Sequence, residues 1–379
     1  MTMTRRKTLA LIGGGTILAA TAAAGYDITR LPNAAVAPWG QAGQYADPRL
    51  RALSWAILAP NPHNRQPWMV DVSLPDTVIL YVDPERMLPH TDPFNRQITV
   101  GLGCFLEIMR MAALEDGLAV EFDLFPDGSD AAVLDNRPVA ICHFSPTDAA
   151  PDPLFAHVPH RRSNKEPYDM TRDVPTEALE RIAQAPMHFP MEFTNDAVRV
   201  ERMRDQSLRA LRVEFATERT LRESVELFRI GHREVNANPD GIDFSGPMFE
   251  SLRMTGLFSR EASMDMEGFV GQQADAAFAE NMLSAMAHLW QVTPDNSRQT
   301  QIRAGQDWVR INLAATAEGL GLQPLSQALQ EFPEMSELYE EVHGDLAPAG
   351  GTVQMWARVG YGPEVGESPR WPLEEKIVG

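Results

Sequence analysis

Along this chain, apolar residues recur at helical spacing in some blocks and at every second position in others, and the blocks follow one order. Leu50, Leu53 and Ile57 fall on one helical face behind Asp47-Pro48, a capping residue with proline in the first turn, which predicts a helix. Residues 69–72 and 77–82 read as strands joined by a turn at Pro75-Asp76. Residues 103–118 return to helical periodicity and end at Gly117, and residues 120–124 and 138–144 follow as strand material.

That order is used twice. Gly103, the pair Ala112-Ala113 and the pair Gly117-Leu118 recur as Gly305, Ala314-Ala315 and Gly319-Leu320, all displaced by 202 residues. The second helix is followed by an alternating strand at 352–359. Small residues midway along both helices would permit close packing. The simplest account is an α+β unit repeated within one chain, with a first half at 47–150 and a second at 151–379. Within the second half, residues 236–273 mix five glycines with Met248, Met254, Met264 and Met266. Such a segment suits either a mobile cover over an aromatic ligand or an irregular surface insertion.

Two stretches carry candidate chemistry. Between the first helix and the first strand, residues 59–68 hold three prolines, which forbid a helix and leave Asn61, His63, Asn64 and Gln66 on a stiff polar loop. The loop suits a planar polar ligand, or else is a turn with Trp68 as a core anchor. The other stretch runs from His160 through Arg161, Arg162, Ser163 and Lys165 to Tyr168. Four potential cations and a hydroxyl suit a phosphate, although a solvated surface run would have the same composition. Each stretch occurs in one half only.

Composition narrows the classes. With 379 residues and 44% hydrophobic content the chain can bury a large core, and a formal charge of −19 with no basic run argues against nucleic acid as a partner. Cys104 and Cys142 lie in apolar segments and are expected as buried thiols. His157 and His160 have no acidic or cysteine partner at ligand spacing, so no metal site is expected.

At the start, Arg5-Arg6-Lys7 precedes an uncharged, glycine-containing run that ends near Ala22-Ala23-Ala24. The pattern over residues 1–24 looks like a twin-arginine signal, with a general secretory signal or an uncleaved membrane anchor as alternatives. It implies export, to a periplasm, by the machinery that moves folded proteins, with no stable span in the mature chain. Its removal takes the formal charge from −19 to about −22, since these residues hold three cations and no acid. The run's glycines therefore do not mark a dinucleotide site. Residues 25–46, with Pro32, Pro38, Gly40 and Gly43, are expected as a linker.

The order helix, polar proline loop, strand, together with Ala59-Pro60, Asn64, Gln66-Pro67-Trp68, resembles the nitroreductase family of FMN-dependent flavoproteins. The likeness spans most of residues 47–379. It implies the nitroreductase α+β fold, here with two halves fused into a pseudo-dimer that works as a monomer, as in the single-chain Acg-type branch. It also implies one FMN between the halves. Pro60, Asn61, His63, Asn64 and Gln66 would approach it from the first half, and Arg161, Arg162 and Ser163 would take its phosphate from the second. Pro324, Leu325 and Ser326 would lie beside the ring edge, and Arg370 would close on the phosphate. The chain departs from the family at Asn61-Pro62, where serines are usual, and at Ser326-Gln327, where a Glu-Gly pair is usual. The implied activity is hydride transfer through flavin N5, from a small-molecule donor to a nitro, quinone or similar acceptor. No catalytic side chain is required for it. The other reading is a protein that binds or sequesters flavin without turnover.

Overall fold

The computed structural model describes residues 30–378, and the twin-arginine segment lies outside them. Two four-stranded antiparallel sheets carry the fold. The first contains β1 (Trp68–Asp71), β2 (Thr77–Val82), β3 (Leu118–Leu124) and β4 (Ala140–Pro146), in the order β1-β2-β4-β3. A small parallel pair, β6 (Phe228–Ile230) with β7 (Ile242–Phe244), interrupts the second half after β5 (Met191–Thr194). β8 (Ala287–Thr293), β9 (Gly321–Pro324) and β10 (Thr352–Gly360) then complete a second sheet in the order β5-β8-β10-β9. In each sheet the chain lays two strands, passes through a long helix and returns with two more, the last strand lying between the second and third. The repeat expected from one offset is therefore a repeat of topology, and the chain is an α+β protein of two related halves.

The long helices are Arg96–Glu115 and Arg298–Ala317. Both begin well before the glycines expected to open them. Gly103 and Gly305 instead sit where the two helices cross. A Cβ on Gly103 would stand 2.1 Å from the Ile302 carbonyl oxygen, and one on Gly305 would stand 2.0 Å from that of Val100. Val100 and Ile302 are themselves 202 residues apart, so the contact is reciprocal and marks a pseudo-twofold axis. Only glycine permits this approach. Cys104, buried and free, donates its thiol to the Gly305 carbonyl at 3.1 Å, and Cys142 is also buried and free.

One pair of equivalent positions shows how the halves diverged. In the first half Phe105 packs on Trp68, ring centroids 5.0 Å apart, behind the long proline loop. Its counterpart 202 residues on is Asp307, which is fully buried and accepts from the backbone N–H groups of Met187, His188 and Phe189. The second half thus has a shortened loop between its helix Thr176–Ala183 and β5, tied down by a carboxylate rather than lacking altogether.

Two arms tie the halves together. After β10 the chain crosses back to the first half, where Ile377 bridges Val70 beside β1. At the other end, the expected linker contains the helix Asn33–Gln41, held because Ala35 and Trp39, one turn apart, are buried.

Candidate binding site between the halves

Five of the expected residues line one cleft. Pro60 and Asn61 form its wall from the first half, with Gln97, Val100 and Gly101 of the first long helix. Ser163, Pro324 and Ser326 face them from the second half, with Trp308, Met355 and Trp356. The cavity between them is about 80 Å³. Gly101 lets the loop pack closely on the helix within that wall, since a Cβ there would come within 3.2 Å of the Asn61 Cβ and 3.3 Å of the Pro62 Cδ. The floor is Arg96, buried, which donates to the carbonyl oxygens of Gln354 at 2.7 Å and Leu329 at 2.7 Å.

The proline loop is held in an uncommon shape. His63, Asn64 and Gln66 all have positive φ, at 47°, 50° and 50°, which for non-glycine residues costs on the order of 1–2 kcal/mol each. Asn61 holds the bend by accepting from the Gln66 N–H at 2.7 Å and donating to the Ala59 carbonyl at 3.1 Å.

None of His63, Asn64 and Gln66, expected to touch a ligand, is among the residues that line the cleft. Asn64 accepts from Arg370 at 2.8 Å and donates to the Pro369 carbonyl, and Gln66 accepts from the Trp371 N–H at 2.9 Å and donates to Pro239. They anchor the C-terminal arm. His63 turns its Nε2 edge to Ser224, in the helix Glu218–Glu226 of the second half. Leu325 is also displaced: its side chain lies in the second hydrophobic core and its N–H pairs with the Trp356 carbonyl.

Arg161, Arg162 and Arg370 converge beside the loop. Arg161 follows a short 3-10 helix, Pro153–His160, and Arg370 arrives on the arm from the far end of the sequence. Arg161 and Arg370 both donate to the Leu58 carbonyl, at 3.2 and 3.1 Å. Arg162 and Arg370 share the Trp39 ring, their guanidinium carbons 4.5 and 5.5 Å from its centroid. Arg161 and Arg370 are each 2% exposed, yet Arg161 Nε and Nη1, Arg162 Nε and Arg370 Nε have no partner among the described residues. Among the described residues, the one carboxylate within salt-bridge reach is Glu367, 3.6 Å from Arg162. Burial, then repulsion from Arg162, pushes Arg161 down to about 10, and burial followed by Arg161 and Arg162 holds Arg370 well below its ordinary value. Cations buried this way cost several kcal/mol each unless an anion joins them.

The pseudo-symmetric position is closed. Arg298, the counterpart of Arg96, donates to the Ala132 carbonyl at 2.9 Å, so the β3–β4 connection folds across the place where a second cleft would open. Gly101 has Arg303 as its counterpart. Residues 236–273 contribute no wall to the open cleft. As placed, their first residues buttress the outside of the proline loop, the Gly241 N–H donating to the Asn64 carbonyl and Asp240 pairing with Arg86 at 2.5 Å.

Sequence reasoning missed Arg96, Trp39, Trp308 and Trp356. Only Arg96 left a signal, since Arg96-Gln97 recurs as Arg298-Gln299 at the 202-residue offset.

Fold and site together define a duplicated α+β chain with, among the described residues, one open cleft between its halves and a cluster of buried arginines beside it. No family model matches the chain. It is similar to a Mycobacterium tuberculosis protein provisionally named NAD(P)H nitroreductase acg, 28% identical over 342 residues, covering 86% of this chain and 93% of that protein. A second, similarly named protein of that organism is 25% identical over 335 residues, covering 85% and 91%. Among solved structures, the FMN-dependent nitroreductase NfnB of Mycobacterium smegmatis, in complex with NADPH, aligns at 18% identity and TM-score 0.36, covering 57% of this chain and 92% of its own. A provisionally assigned nitroreductase of Anabaena variabilis aligns at 11% and 0.41, covering 83% and 88%.

Proposed function

We propose that the chain is an FMN-dependent oxidoreductase of nitroreductase type, holding one FMN between its halves. The observation that carries this reading is the pair of buried arginines, Arg161 and Arg370, with no carboxylate partner among the described residues, next to a narrow, mostly apolar cleft. A phosphate answers the first and a flat aromatic ring answers the second. Arg161, Arg162 and Arg370 would hold the phosphate, while Pro60, Asn61, Ser163, Pro324 and Ser326 would flank the ring. FMN, when bound, supplies hydride exchange at its N5. The protein's part is to bind and orient, to exclude water through Trp308 and Trp356, and to set the charge around the ring. The relatives' names supply NAD(P)H as the donor to test and nitro compounds as the acceptor.

The test is anaerobic reduction of the purified, flavin-loaded protein by NADPH, by a quinol and by dithionite, followed at the flavin absorbance. Reduction by NADPH or the quinol, with reoxidation by a nitroarene or quinone, is the expected result. Reduction by dithionite alone would make the protein a flavin holder rather than an enzyme.

Export through the twin-arginine route is part of the proposal, because a cofactor loaded in the cytoplasm requires a folded passenger. Replacing Arg5 and Arg6 together by Lys is expected to leave precursor inside the cell, measured by fractionation. Undiminished export of that variant would exclude the route.

A further inference from the structure

The mechanism above leaves one buried chain of titratable groups unused. Glu214, at the end of the helix Ala197–Ala216, is 3% exposed. Its Oε1 lies 3.3 Å from the Ser224 hydroxyl, and that hydroxyl lies 3.1 Å from His63 Nε2. His63 Nδ1 is buried and has no partner among the described residues. The three residues come from three different elements. His63 adjoins Pro62, a wall of the cleft. Glu214 also accepts from Gln330 at 2.9 Å, in the turn that follows the cleft residue Ser326. On the other side, Thr217, Glu218 and Glu223 line a wide, charged surface cavity.

We propose that Glu214, Ser224 and His63 form a proton relay from this outer cavity to the cleft, supplying the proton that an acceptor takes up alongside a hydride. The inference rests on the redox reading of the cleft. A quinone that accepts a hydride, two electrons and one proton, from reduced flavin is left with one anionic oxygen. One further proton completes the hydroquinone. In the loaded state the Glu214 carboxyl donates to Ser224, Ser224 donates to Nε2 of His63, and Nδ1 carries the outgoing proton. When Nδ1 releases it, the ring takes the serine proton and the serine takes the carboxyl proton. Glu214 is left ionised, Ser224 donates to it, and Nδ1 is bare. The two states differ by one proton, which the outer cavity's water returns to Glu214, and a turn of the imidazole ring then restores the loaded arrangement.

The electrostatics support both states near neutrality. Burial pushes Glu214 up to about 7, against hydrogen bonds from Gln330, Ser224 and Gln327 and with the Glu223 charge adding to the rise. Burial, then Lys165 and Arg65, pushes His63 down to about 4, so the ring stays neutral in both states.

The test uses Glu214→Gln and Ser224→Ala in the full-length, flavin-loaded protein. Single-turnover oxidation of the reduced protein by p-benzoquinone is expected to slow about a hundredfold in both, the low end for loss of a proton donor, and to lose its inflection near pH 7. Oxidation by ferricyanide, which takes electrons without protons, is expected to keep its rate. The infrared band of a protonated carboxyl at neutral pH, present in the wild type, should vanish in Glu214→Gln alone. A folding control comes from linkage. A carboxyl raised by burial contributes stability below its unfolded pKa of about 4.3 that is lost as pH rises through about 7, so Glu214→Gln should melt higher than the wild type above pH 7. Unchanged benzoquinone rates and pH profiles, equal slowing with ferricyanide, or no carboxyl band would overturn the relay while leaving the flavin reading intact. Absence of bound flavin in the wild type would overturn both.

Discussion

Gly305→Ala is expected to destabilise the protein by about 3 kcal/mol or more, the upper end of what overpacking a close contact costs. The added methyl would sit 2.0 Å from the Val100 carbonyl oxygen and so must push the two long helices apart. Those helices are the floor of the structure between the two sheets, and the Arg96 end of one and Trp308 of the other both line the cleft. Gly103→Ala should cost about as much, and the double variant less than the sum, because one separation relieves both overlaps. Gly344→Ala, in the helix Ser336–Leu346 with nothing within 4 Å, serves as the control and should be neutral or slightly stabilising. Denaturant unfolding followed by circular dichroism measures all four.

The second large effect has opposite signs in the two forms of the protein. Arg161→Ala is expected to weaken FMN binding ten- to a hundredfold, from loss of a charged hydrogen bond worth about 1.5–3 kcal/mol. It is expected to stabilise the flavin-free protein, because it removes a buried cation whose one hydrogen bond is to the Leu58 carbonyl. Arg370→Ala should lose affinity as well. It cannot show the stabilisation cleanly, since Arg370 also donates to Ala59 and Asn64 and holds the C-terminal arm. Fluorescence titration with FMN, alongside melting of the flavin-free variants, separates the two effects. A Arg161 variant that bound FMN normally would remove the phosphate assignment.

The parts legible in the sequence are those written in local pattern. The proline loop, the Arg161-Arg162-Ser163 run and the 202-residue offset depend on residues adjacent in the chain or on a simple repeat; Pro60, Asn61 and Ser163 line the cleft, and Gly103 and Gly305 meet where the long helices cross. What was not legible depends on which way a side chain turns. Asn64 and Gln66 were expected to touch a ligand. Their positive φ turns them from the cleft walls toward the C-terminal arm, where Arg370 and Trp371 meet them more than 300 residues away. Trp39 stood in a stretch read as a linker because prolines and glycines surround it. Its role arises only when Arg162 and Arg370 fold against its ring. Similarly, nothing local in Asp307 says that it replaces Phe105 as the support of a shortened loop.

The central claim is that duplication left one working site, with Arg298 and the β3–β4 connection filling the other. The most direct measurement is the ratio of released flavin to chain after saturation with FMN and removal of the unbound excess. One FMN per chain, identified by mass and falling sharply in Arg161→Ala, is the predicted result. Two per chain, or one per chain undiminished by that substitution, would contradict it.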